Sequence, residues 1–219
     1  MRADARRNHE RLLEAARDVF VEQGPGASLE EIARRAEVGI ATLYRRFTDR
    51  GTLMHAVVLH ALTGTIEAVQ RARREHPDPL EALAAYVHAV LDLRTSVVIP
   101  TLLVALDLDE PELKAASLTS ARLVEELLEE AHKTGRLRTD VAFGDIGLLL
   151  TRLSRPLPGP IPDETQNALA HRHANLFLAG LRADPTAPPL GGPALKLADL
   201  RQFQNDTDEV AKGTSATSP

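Results

Sequence analysis

Residues 36–50 read Ala36-Glu37-Val38-Gly39-Ile40-Ala41-Thr42-Leu43-Tyr44-Arg45-Arg46-Phe47-Thr48-Asp49-Arg50. The stretch opens on a turn at Glu37-Val38-Gly39, runs as a short helix through Phe47, and closes on Thr48-Asp49, a pair suited to cap the next helix. Just upstream, Ser28-Leu29-Glu30-Glu31 has the pattern of a capping box, with Ser28 as the cap and Glu31 reaching back. It predicts a helix over about 29–36 with Ile32 and Ala33 facing inward. Before it, Leu12, Ala16, Val19 and Phe20 share one helical face, and Gly24-Pro25-Gly26 ends that helix. Short helices joined by tight turns, the second about eight residues long and the third following Gly39, have the layout of a helix-turn-helix. An all-α bundle can show the same three helices without any role in DNA binding.

Working outward from that segment, the same periodicity continues. Leu53, Val57 and Leu62 stripe a fourth helix to about residue 74, and Pro77-Asp78-Pro79 breaks the chain. Leu80, Leu83, Ala84, Val87 and Leu91 trace another amphipathic helix; residues 95–106 are nearly all apolar, with Pro100 set to kink or interrupt them. Asp109-Glu110-Pro111 starts a helix that ends near Thr134-Gly135. A further helix carries Ile146, Leu149, Leu150 and Leu153. Pro156, Pro158, Pro160 and Pro162 then forbid helix, and Asp163 can cap a last one to about residue 182. Residues 184–193 are rich in Pro and Gly and read as a loop or linker, 194–203 as a short helix, and 205–219 as disordered. No strand pattern of useful length occurs. The expected fold class is therefore all-α: an N-terminal three-helix helix-turn-helix domain over 1–50, a helical regulatory and dimerisation domain over 51–183, and a tail over 184–219, about nine helices altogether.

Composition narrows the function classes. Apolar residues make up 43 % of the 219, yet aromatics only 3 %, with no Trp and no Cys. Disulfides, thiolate metal sites and cysteine nucleophiles are thereby excluded, in keeping with a cytoplasmic protein. The longest uncharged run, Gly51–Ile66, is sixteen residues and includes His and Thr, short of the roughly 20 apolar residues that a membrane span needs. The charged start of the chain lacks the apolar core of a signal peptide. Net charge is −5, but it divides unevenly, +1 over residues 1–50 and −6 over the rest. Screening confines each charge to about 10 Å at 0.1 M salt, so an acidic protein can still present a local basic face to phosphate. The eight histidines include no i, i+4 pair suited to a helical zinc site, and no Gly-rich phosphate loop or nucleophile elbow is present. An all-α enzyme has nothing positive in its favour, and neither a metal nor a cofactor is expected.

The segment 36–50, with Gly24, Ser28, Ile32 and Ala33 upstream, resembles the signature of the TetR family of bacterial repressors over roughly residues 8–60. Two separate demands fix its spacing: Val38, Leu43 and Phe47 plug a small three-helix core, while Thr42 and Tyr44 face the groove. The resemblance implies that the third helix enters the major groove of an operator duplex through Gly39, Ile40, Ala41, Thr42 and Tyr44. Thr42 and Tyr44 would bond phosphates or base edges, and small Ala41 permits close approach. Arg45 and Arg46 follow on the same helix; Arg50 would bind a phosphate with the fourth helix's N-terminus, and Ser28 would do so at the second. Apolar Ile40 at a base-facing position, and Gly51 where the family usually has an acidic residue, depart from the pattern. Other roles are open for several of these side chains: Tyr44 as a core aromatic, Arg45 as a solvated cation, Ser28 as a helix cap alone.

A single helix-turn-helix makes few contacts, so a twofold partner is expected. The resemblance places the homodimer interface on the last two helices, through Ile146, Leu149, Leu150, Leu153, Leu169, Leu176, Phe177 and Gly180. The alternative is that both stripes face the chain's own core. For a small-molecule effector, His88, Arg94, Ser117 and Ser120 are polar groups on inward faces that could line a cavity, or else be satisfied internally. The expected function is a repressor released from DNA by a small molecule; the alternatives are control by a protein partner and, with less support, an all-α enzyme.

Overall fold

The computed structural model describes residues 2–103, 105–106, 110–200 and 202. Among the described residues nine helices follow in order: α1 (Arg2–Gln23), α2 (Leu29–Arg35), α3 (Ile40–Arg46), α4 (Arg50–Glu75), α5 (Pro79–Leu93), α6 (Thr95–Leu103), α7 (Pro111–Lys133), α8 (Phe143–Leu153) and α9 (Asp163–Gly180). One further helical turn covers 197–200. The only extended pairing among the described residues is an isolated bridge between Leu137 and Arg182, so the fold is all-α as the periodicity predicts. The tail at 205–219 lies outside the described residues.

The caps explain the boundaries. Ser28 accepts a hydrogen bond from the Glu31 amide at 3.3 Å and opens α2, but the Glu31 carboxylate does not reach back; it bonds Arg34 and Arg35, each at 2.8 Å. Those guanidinium groups, Arg34 first, hold the Glu31 carboxyl down at about 2, from an ordinary value near 4.5. The folded state therefore gains from this group above the ordinary carboxyl range and loses the gain as pH falls towards about 2. An acid titration followed by amide exchange is expected to show α2 fraying within that window. Asp49 caps α4 by accepting from Thr52 N–H at 2.7 Å, Asp78 caps α5, and Glu110 caps α7 through Leu113 N–H at 2.9 Å.

Proline 100 sits inside α6 rather than ending it. It leaves the Ser96 carbonyl without its helical donor, and the Thr151 hydroxyl from α8 supplies one at 3.0 Å. Tertiary contact thus heals a defect that local sequence would count against the helix. Between α5 and α6 the chain turns by 60° at Arg94, which adopts the left-handed region with φ 51°.

Two apolar cores meet along α4. Leu12, Val19, Phe20, Ile32, Leu43 and Leu53 are all buried in the first, which also takes in Val98 and Leu102 of α6 and Leu113 of α7. The second joins Val69 and Ala72 of α4 to α5, α7, α8 and α9. Helix α4 is long and apolar enough to cross a membrane, but its apolar residues are packed against α1, α5, α6 and α7. Residues 184–195 fold back over the bundle: the Leu190 amide bonds Asp140, and the Gly144 amide bonds the Leu195 carbonyl at 2.8 Å. A Cβ on Gly144 would stand 2.8 Å from Leu195, which is why only glycine fits there.

The turn between α2 and α3 carries a non-glycine residue at positive φ, Glu37 at 55°. Left-handed backbone costs such a residue about 1–2 kcal/mol, and its exposed ion pair with Arg11 at 2.9 Å returns little. Glu37→Gly is expected to raise stability, by no more than about 1 kcal/mol once the looser unfolded chain is counted. Urea denaturation checks it.

Candidate nucleic-acid interface

Helix α3 is short because Gly39 precedes it without a side-chain cap and Phe47 leaves helical geometry after it. Leu43 is fully buried and Phe47 nearly so, fastening one side of the helix into the first apolar core, where α3 packs on α2. The opposite side is bare: Gly39, Ala41, Tyr44, Arg45 and Arg46 are exposed, Ile40 and Thr42 half-buried. Tyr44 is 48 % exposed, so its ring is a surface group and not part of the core. A Cβ at Gly39 would meet nothing within 4 Å and its φ is −67°, so the fold does not require glycine there; the missing side chain only clears the outer face.

Ser28 and Arg50 are more committed within the chain. The Ser28 hydroxyl caps α2 and donates to Glu30 at 2.8 Å. Arg50 donates to the carbonyls of Pro25, at 3.2 Å, and Ala27, which ties the first turn of α4 to the loop that enters α2. The Asp49 carboxylate occupies the amide at the start of α4, and that bond together with the Thr52 hydroxyl keeps Asp49 ionised well below its usual range. Arg50→Ala is therefore expected to cost about 1–3 kcal/mol of stability in chemical denaturation, beyond any effect on DNA.

Sequence reasoning passed over His9. Its ring stacks on Phe47 at 5.9 Å between centroids. Burial, then Arg46, then His60 lower its pKa, so it adds no positive charge to this face at neutral pH. The only trace in the sequence is its i−3 spacing from Leu12 on α1.

The residues expected at a dimer interface separate into two sets. Ile146 and Leu150 are buried against α5 and α7, and Leu149, Leu153, Leu169 and Phe177 are half-buried. Leu176 is 65 % exposed, and Gly180 opens on space with nothing within 4 Å of a Cβ. Leu148, outside the expected stripe, is also exposed. On α9 only Ala174 is fully buried, so most of that helix faces away from its own chain.

Nor do the four polar residues on inward faces converge. His88 stacks on His171 of α9 and bonds it at 2.7 Å, with Asn175 on its other nitrogen at 2.9 Å. Ser120 is buried on α7 and Ser117 half-buried. Arg94 alone among them lines a cavity of about 260 Å³ between α5, α8 and α9, and its guanidinium lies 3.8 Å from Asp18 of α1. For metals, His55, Glu110 and Glu112 present ligand atoms within 4.8 Å of one another, but Glu110 is already spent capping α7 and accepting from His55 at 3.0 Å.

Comparison with known proteins gives this geometry a class. Residues 12–57 match the family model for bacterial regulatory proteins of the tetR family, and residues 78–183 match that for the C-terminal domain of SbtR-like transcriptional regulators. The TetR transcriptional regulator SCO0520 from Streptomyces coelicolor is 31 % identical, with a TM-score of 0.56 over 81 % of this chain and 99 % of that one. A TetR transcription regulatory protein from Mycobacterium vanbaalenii is 29 % identical, with a TM-score of 0.54 over 83 % and 99 %. The HTH-type transcriptional regulator SAUSA300_2515 of Staphylococcus aureus is 28 % identical over 95 residues, 43 % of this chain; the match spans about half the length of such curated relatives, 51 % here. The chain belongs to the TetR family of transcriptional regulators and carries that family's helix-turn-helix DNA-binding domain. These relatives are DNA-binding regulators rather than enzymes.

Proposed function

We propose that this protein is a homodimeric repressor that binds an inverted-repeat operator and is released by a small-molecule effector. The observation that carries the reading is α3 itself: Leu43 and Phe47 anchor it from below while Tyr44, Arg45 and Arg46 stand exposed above. In this reading residues 1–50 bind DNA, 51–183 bind ligand and dimerise, and 184–219 form the tail. Gly39, Ile40, Ala41, Thr42 and Tyr44 meet the groove, Arg45 and Arg46 meet phosphate, and Ser28 and Arg50 chiefly hold α2 and α4 in register. Such a protein works in the cytoplasm, beside the chromosome.

Twofold symmetry sets the two α3 helices about 34–36 Å apart, or a multiple of that, to meet successive major grooves. Selection of genomic fragments by the purified protein is expected to enrich a palindrome with that spacing. The affinity of the enriched site should fall steeply with salt, the logarithmic slope growing by about 0.9 for every phosphate contacted. A protein that enriches no fragment, or binds one without salt dependence, would end the reading.

A further inference from the structure

The cavity between α5, α8 and α9 has an unusual electrostatic lining for a chain of net charge −5. Arg94, Arg152 and Arg155 line it, against Asp92 and Asp163. Asp92 already accepts from His171 at 2.9 Å. Arg152 and Arg155 make no ion pair with any described residue, so two planar cationic forks line the space unpaired, with Asp163, which accepts from Gln166 at 3.4 Å, as the other acid of the lining. An arginine at a helix C-terminus is commonplace, and Arg152 by itself carries no weight. Ser154 supplies the independent observation. It lines the same cavity, is 7 % exposed, and its buried hydroxyl has no hydrogen-bond partner among the described residues. Native structures rarely leave such a group unpaired unless something else satisfies it. Leu91, Leu153 and Leu169 complete the wall with apolar surface.

Arg94 also looks the other way. It holds the left-handed position at the 60° turn into α6, and its guanidinium lies 3.8 Å from Asp18 on α1. Arg17, next to Asp18, donates to the Leu93 carbonyl at 3.1 Å and to Asp18 at 3.0 Å. The end of α5 is thus fastened to the first helix of the DNA-binding domain by a small charged junction that shares one arginine with the cavity.

We infer that this cavity binds a small organic carboxylate with a short apolar body, and that the bound anion competes with Asp18 for Arg94, linking occupancy to α1. The carboxylate is held by Arg152 and Arg155, whose planar forks suit two-oxygen recognition, and its body lies on the leucines. At about 260 Å³ the cavity falls just below the usual range for ligand pockets, which limits the ligand to a small molecule. The inference deepens the effector-released reading above and rests on it for the coupling, but not for the binding.

Benzoate and octanoate, each paired with its neutral amide, are titrated into the full-length protein by calorimetry, with melting temperature recorded in parallel. At least one carboxylate is expected to bind and raise the melting temperature, and its amide to bind at least tenfold more weakly. Replacing Arg152 and Arg155 together with alanine should weaken carboxylate binding at least tenfold without lowering the melting temperature of the free protein. Ser154→Ala should weaken binding while raising that temperature, because it removes the unpaired hydroxyl. Binding of neither carboxylate, equal binding of the amides, or unchanged binding by the double variant would overturn the site. With operator DNA present, Asp18→Asn should raise carboxylate affinity, because it removes the competitor for Arg94, and lose the ligand's effect on DNA affinity. If the carboxylate binds and DNA affinity never responds, the site stands and the coupling through Arg94 falls. If the protein binds no DNA at all, the repressor reading falls while the calorimetry still decides the site.

Discussion

Tyr44→Ala is expected to weaken operator binding by one to three orders of magnitude while leaving the helical content and melting temperature near those of the parent protein. The second half of that expectation comes from exposure. A ring that is 48 % exposed on the outer side of α3 contributes little to the core, which Leu43 and Phe47 fill from the other side. The first half comes from the proposed twofold symmetry, in which a variant dimer would lose the contact at both half-sites. If each is worth about 1–2 kcal/mol, in line with single contacts at base edges, affinity falls by roughly 30- to 1,000-fold. Gel-shift titration and circular dichroism on the same preparation separate the two effects. Tyr44→Phe isolates the hydroxyl, and its affinity should lie between those of the parent and the alanine variant. Loss of helicity in Tyr44→Ala would return Tyr44 to a structural role.

Leu176→Glu carries the other large effect. Within one chain Leu176 is 65 % exposed, so a carboxylate there meets water and the protomer should fold unchanged. Across a twofold interface built on α9, the same carboxylate is buried without a partner, once from each subunit, at several kcal/mol apiece. Light scattering is expected to report monomers at concentrations where the parent is a dimer, and operator affinity should collapse with the loss of the second half-site. Phe177→Glu is the poorer test, because Phe177 packs against its own core and the variant would unfold for that reason alone. A Leu176→Glu protein that stays dimeric moves the interface elsewhere, with the exposed Leu148 of α8 as the next position to probe.

The sequence by itself determined the helices and the recognition segment, because the rules that govern them act over three or four residues. Ser28, Asp49 and Glu110 cap helices where their types and positions predict, Asp78 caps one at what reads as a simple break, and the apolar spacing around Leu43 and Phe47 identifies the inner side of α3. Residues 36–50 also carry the resemblance to the TetR family. Helical period says which residues share a face, but not what that face meets. In α8 the stripe chosen for a partner, Ile146 and Leu150, is held by α5 and α7 of the same chain, while Leu148 on the other side is left outward. Arg50, expected on a phosphate, reaches carbonyls 25 and 23 residues back, and Arg94 meets an acid on α1 and an anion-suited cavity formed with α8 and α9. Pro100 lies within a helix because a threonine 55 residues beyond Ser96 satisfies the carbonyl that the proline frees. Each of these outcomes is decided by a contact between segments far apart in the chain, whose relative placement is set by packing two cores along α4 and by no local pattern in the residues themselves.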